Sequence, residues 1–245
     1  MKNKKLKATL SITGYFLLLL AICFAGALVF HSYYYEAVYI SGASMSPTLM
    51  GDDYEQDGST VDFGIVDAHK SAINHIKRFD IVSTYYPDDY LTTGALKGSA
   101  KKKIKRVIAL PNETFTIKDG LLSVKDGEEF VSVPYTFKIA ITNYKDTDEP
   151  VTLGENEYWV LGDNRSTATS SRDCATIGKP IKKDYIAGVL VAIEGRAKLK
   201  TKDYRCDDCG KVFSTKYSSC PKCGSYSHSS EFKLVNKKYH WPKFF

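Results

Sequence analysis

No lysine or arginine occurs between Lys7 and Lys70, and no second long apolar run follows residue 30. A protein that crosses a membrane several times is therefore excluded. No stretch carries the sustained periodicity of a long amphipathic helix, which leaves an all-β or mainly β body, and no internal repeat is visible. The five histidines, His31, His69, His75, His228 and His240, stand in no ligand or dyad spacing; only His228 is near enough to the cysteines to be an alternative ligand. The net charge of +6 is uneven, because residues 8–195 carry 18 basic against 24 acidic side chains and residues 196–245 carry 12 against 4. A uniformly basic nucleic-acid binder is excluded by that distribution, and no nucleic-acid partner is expected.

What is present starts with Ala8–Phe30, 23 residues without a charge. A helix of that length, at about 1.5 Å per residue, crosses a bilayer core with some tilt. Lys2, Lys4, Lys5 and Lys7 precede the run, so residues 1–7 are expected in the cytoplasm and everything after about His31 outside. Tyr33, Tyr34 and Tyr35 fit an aromatic belt at the outer interface. Ala25-Gly26-Ala27 has the small-x-small look of a cleavable leader, but the apolar run continues past it and exceeds an h-region of about 7–15 residues. The expectation is one membrane-spanning anchor at 8–30, with the lipid bilayer as a partner.

Beyond the anchor, short alternating runs read as strands at 36–40, 80–85, 103–110, 114–118, 121–124, 158–161 and 186–193. Asp119-Gly120 between two of them is a strong hairpin signal. Residues 92–103 read as a surface loop, and 126–150 as a loosely patterned stretch that could form its own lobe.

The most informative stretch is Ser41-Gly42-Ala43-Ser44-Met45-Ser46-Pro47. A serine hydroxyl needs a neighbouring base to become a nucleophile and backbone N–H groups aimed at the developing oxyanion; small residues before it let those groups approach a substrate. Taken alone, the stretch reads equally as a turn closed by Gly and Pro. Three further segments follow it in order: Arg78-Phe79-Asp80-Ile81-Val82, Lys105-Arg106-Val107-Ile108-Ala109-Leu110-Pro111, and Gly162-Asp163-Asn164-Arg165 with Ser171-Arg172. Together they resemble the four boxes of type I signal peptidases, most closely the Gram-positive members, membrane-anchored serine proteases that remove signal peptides from secretory precursors.

The resemblance implies a signal-peptidase-type β catalytic domain over 36–195 and a Ser–Lys dyad, with Ser44 as nucleophile and Lys105 as general base. A lysine at its free pKa of about 10.4 cannot accept a proton at neutral pH, but burial among apolar neighbours lowers that value by several units. Lys105 lies between Ile104 and Val107-Ile108, and alternation sends Arg106 to the opposite face. Positions matching Val38, Ile40, Met45 and Ile104 line the family's shallow apolar subsites, which accept small residues; the ordinary alternative is that they are core. No cofactor is implied for the chemistry.

Two departures from the family stand out. Where many Gram-negative members supply a hydroxyl to the oxyanion hole, this chain has Gly42, as Gram-positive members commonly do. In the last box, the serine that the family places beside the catalytic lysine is Ala168, and the carboxylate two residues before Arg172 is Ser170. Asp163 and Arg172 remain, and the two are expected to pair as a structural brace. The altered box leaves one alternative open, a catalytically weak or silent peptidase-like factor that assists pilus or surface-protein assembly.

Finally, Cys206-Asp207-Asp208-Cys209 and Cys220-Pro221-Lys222-Cys223 are two C-x2-C knuckles. Four thiolates suit tetrahedral Zn²⁺, and a module over 203–235 too small to bury a core would be held by the metal. Two disulfides are the rival reading, since the topology puts the module outside the cytoplasm. The expected architecture is mainly β: one N-terminal transmembrane helix, the β catalytic domain and a small C-terminal zinc ribbon.

Overall fold

The computed structural model describes residues 2–51, 58–85, 102–136, 146–147, 149–165 and 173–245. The chain divides into two units, Met1–Glu36 and Ala37–Phe245. The first is essentially one helix, α1 (Lys2–Tyr34). Its window Thr13–Phe30 has a mean hydropathy of 2.3 and no buried residue, so the apolar surface Phe16–Leu20 faces outward around the whole helix. A helix that is apolar on every side has no core face and is suited to lipid.

The second unit is built from strands. β1 (Tyr35–Tyr39) leads through a one-turn 3₁₀ segment (Ala43–Met45) to β2 (Thr60–Asp67), the short helix α2 (Lys70–Asn74) and β3 (Ile81–Thr84). β4 (Lys103–Ala109), β5 (Thr114–Lys118), β6 (Leu121–Asp126), β7 (Glu129–Val133), β8 (Val151–Thr152) and β9 (Glu157–Leu161) follow. The chain continues through α3 (Cys174–Ile177), β10 (Ile181–Lys182), β11 (Ile186–Cys206), β12 (Val212–Ser214) and β13 (His228–Phe244). Nine strands form one sheet in the order β1-β2-β11-β3-β4-β9-β10, with β12 and β13 both pairing β11. The second sheet has the order β7-β6-β5-β8.

The mainly β expectation matches this architecture, and the hairpin read at Asp119-Gly120 is the β5–β6 turn. Both residues are left-handed, at φ 50° and 73°, and Lys118 pairs Leu121 across the turn. Three differences have physical causes. β2 went unread because Gly64 interrupts its apolar pattern; a Cβ there would lie 2.0 Å from the Ala192 carbonyl oxygen, so the glycine is what lets β11 approach. β11 runs on from Ile193 to Cys206 because residues 196–200 still alternate, with Ala197 and Leu199 buried between exposed Arg196, Lys198 and Lys200. β13 supplies the partner for that extension, from Cys206↔His228 to Ala192↔Phe244. Residues 129–133 of the loosely patterned stretch pair with β6; its remainder is described only at 126–128, 134–136, 146–147 and 149–150, and the expected loop 92–103 only from 102.

Two apolar clusters hold the body together. The larger gathers Val107, Phe115, Trp159 and Leu161 where the two sheets meet, and Phe115 and Trp159 rings lie 5.4 Å apart. The smaller gathers Ile40, Met45, Leu49, Val66, Ile81, Leu190 and Ile193, with Val38 and Ile104 packed against its margin. That second cluster is the floor on which the serine turn rests.

Candidate active site

Gly42 opens the turn at φ 78°, a left-handed conformation that glycine reaches without a Cβ penalty, and the 3₁₀ segment then presents Ser44. β4 carries Lys105 on one face and Arg106 on the other. Lys105 Nζ donates to Ser44 Oγ at 2.8 Å and to the Ile104 carbonyl at 2.8 Å. The lysine is 3% exposed, so its side chain is largely withdrawn from water. The Ile104 carbonyl fixes where Nζ points. The last-box positions Ala168, Ser170 and Arg172 lie outside the described residues.

Two residues of that box lock the frame. Asn164 donates through its backbone N–H to the Ser44 carbonyl at 3.0 Å and through Nδ2 to the Ala43 carbonyl at 3.1 Å. Asp163 accepts from Arg106 with both oxygens, at 2.8 and 2.6 Å, and the same guanidinium donates to the Phe79 carbonyl at 2.8 Å. Phe79 itself sits at φ 74°, a strained backbone for a residue with a Cβ. Adjacent residues on one short segment thus hold the serine turn and the strand that carries the lysine. The sequence paired Asp163 with Arg172, which lies outside the described residues; the partner described for Asp163 is Arg106. The available signal was alternation, since an arginine sent to the buried face of β4 requires an anion. Asn164 had no such signal, because its partners Ala43 and Ser44 lie far away in the chain, Ala43 by 121 residues.

Among the candidate subsite residues, Ile40 and Met45 are buried in the floor at 2% and 1% exposure. Val38 and Ile104 are half-buried at its margin.

The four knuckle cysteines converge at the far end of β11. Their Sγ atoms all lie within 4.8 Å of one another, with Cys206–Cys223 at 3.5 Å and Cys209–Cys220 at 3.6 Å, and all four are free thiols. Desolvation opposes ionisation of Cys220, yet the N–H groups of Lys222 and Cys223 and the neighbouring thiols draw it down to about 6. At Cys223 the Ser225 N–H favours the thiolate, but Cys206, Cys209 and Cys220 push it up to about 12. Four crowded sulfurs cannot all ionise without a cation among them. Cys174, fully buried against β9, is pushed up to about 12 by desolvation and belongs to the core.

The chain is similar to known proteins over most of its length. Residues 12–193 match the family described as signal peptidase, peptidase S26. Signal peptidase I U of Bacillus subtilis is 27% identical over 190 residues, covering 76% of this chain and 86% of that protein. Signal peptidase I V of the same organism is 30% identical over 161 residues, covering 62% and 80%. A crystal structure of a signal peptidase I from Enterococcus faecalis, 25% identical, covers 47% of this chain and 96% of its own, with a TM-score of 0.33.

Proposed function

Given that the chain belongs to the signal peptidase family, peptidase S26, and is a hydrolase that removes signal peptides, we propose that Ser44 and Lys105 are its catalytic pair. The observation that carries this reading is the 2.8 Å separation of Ser44 Oγ from a lysine amine shielded from water. In neutral form that amine accepts the hydroxyl proton as Ser44 Oγ bonds to the scissile carbonyl carbon. The carbonyl oxygen becomes an oxyanion, and the backbone N–H groups of the turn after Gly42 are the candidate donors to it. Collapse breaks the C–N bond, and the Lys105 ammonium returns its proton to the leaving amine. Water, deprotonated by the same amine, then hydrolyses the acyl-enzyme.

Val38 and Ile104 are the residues that meet the small side chains before the cleavage site, with Ile40 and Met45 supporting them from below. Branched side chains there exclude large residues by overlap. The chain is membrane-anchored through α1, and its substrates are secretory precursors. The four lysines before the apolar run orient the N-terminus to the cytoplasm and the catalytic unit to the extracytoplasmic face. Cys206, Cys209, Cys220 and Cys223 fit a structural Zn²⁺: tetrahedral sulfur at about 2.3 Å from a metal places neighbouring sulfurs about 3.8 Å apart, close to the separations present. When bound, the metal supplies cross-linking of the two knuckles and takes no part in peptide cleavage.

The test is cleavage of a model precursor by full-length protein beside Ser44→Ala and Lys105→Ala, with N-terminal sequencing of the product. Wild type should cut after a small-x-small site, and both variants should lose at least about 10³-fold in kcat/KM. Wild type that binds the precursor without cutting it would overturn the dyad and favour the silent assembly factor.

A further inference from the structure

The outer edge of β13 pairs with no strand among the described residues. Such an edge invites unwanted pairing, and lysines along it discourage that. Residues 232–245 carry four lysines and no acid, which this protection accounts for. It does not account for the aromatics between them. Trp241 is 90% exposed, Phe244 70% and Tyr239 67%. β13 advances from Tyr239 to Lys243 while β11 moves only from Gly195 to Ile193, so residues 240–242 bulge away from the ladder and carry the indole outward. Beside the bulge, the Lys237 ammonium lies 5.3 Å from the Phe63 ring and that of Lys243 5.0 Å from the Phe245 ring.

Rings with a polar tip, interleaved with lysines whose stems run along apolar surface, match the chemistry of the lipid–water boundary. The absence of acid selects a negatively charged headgroup. The chain brings its own bilayer: α1 is long and apolar enough to cross one, and tethering raises the effective concentration of that lipid surface for the rest of the chain. Resting on that anchoring, we infer that residues 237–245 form a docking edge for an anionic lipid surface, with Trp241 at headgroup depth and Lys237, Lys238 and Lys243 on the phosphates.

The two tryptophans make this testable in the full chain. Trp159 is 5% exposed in the core and reports the fold; the difference between wild type and Trp241→Phe isolates Trp241. In vesicles of brominated phosphatidylglycerol, Trp241 emission should shift to the blue, be quenched by the lipid and resist aqueous acrylamide. Phosphatidylcholine vesicles, or K237E/K238E/K243E, should abolish all three effects with Trp159 emission unchanged. Acrylamide quenching of Trp241 that is equal in both lipids and in detergent would overturn the inference. So would shielding that grows with the protein-to-lipid ratio, which would assign the edge to a second copy. Flotation with the vesicles reads the α1 anchor separately from β13.

Discussion

Arg106 is 5% exposed and Asp163 not exposed at all, so each depends on the other for its charge to exist inside the protein. The pair adds little beyond what apolar residues of the same volume would supply, but losing one member leaves an uncompensated ion. Asp163→Asn should therefore lower unfolding free energy by about 3–5 kcal/mol, measured by urea denaturation of the detergent-solubilised chain. An unchanged midpoint would mean that water enters and solvates the guanidinium. At this scale, legibility was uneven. Ser44 and Lys105 could be singled out because each stands in a recognisable segment and needs the other chemically. The pairing of Asp163 with Arg106 needed a three-dimensional fact, that the strand after β3 turns its second face inward.

At the scale of elements, the knuckles and the arm that bears them form one device. β11 and β13 run antiparallel to Cys206 and His228, and β12 caps them through Asp203–Arg205. Tyr204 stacks on His228 at 4.1 Å and Phe213 closes over the same spot, a small apolar wall beside the sulfurs. So few buried residues cannot order the tip without help. Purified full-length protein should thus hold one zinc per chain, released by a mercurial as four thiols titrate. Absence of metal, with the cysteines resistant to the mercurial, would identify disulfides instead. The knuckles were legible from spacing alone. β13 was not, because Asn236 at φ 51° and Pro242 punctuate it like a turn; neither pairs with β11, and the ladder resumes on either side of each.

For the molecule as a whole, two units of opposite character are joined without a spacer: a helix with no polar face between Thr13 and Phe30, and a β body with buried charge at its centre. The apolar run made the first unit plain. The second was plain as a class, whereas the reach of β11 was obscured by the switch to basic composition at residue 196, which looks like a border in the sequence and is an uninterrupted strand in space.

That continuity makes the cysteine module an insertion whose two stems are stitched into the main sheet. The chain leaves along β11 and returns along β13 as far as Ala192↔Phe244, on the stretch of β11 that also pairs β2. A protease cut in the exposed stretch Lys216–Ser218 should accordingly release nothing: the two pieces should co-migrate on a native gel and separate only in denaturant. The peptide bond there is dispensable to the assembled molecule, whereas the ladder behind it is not.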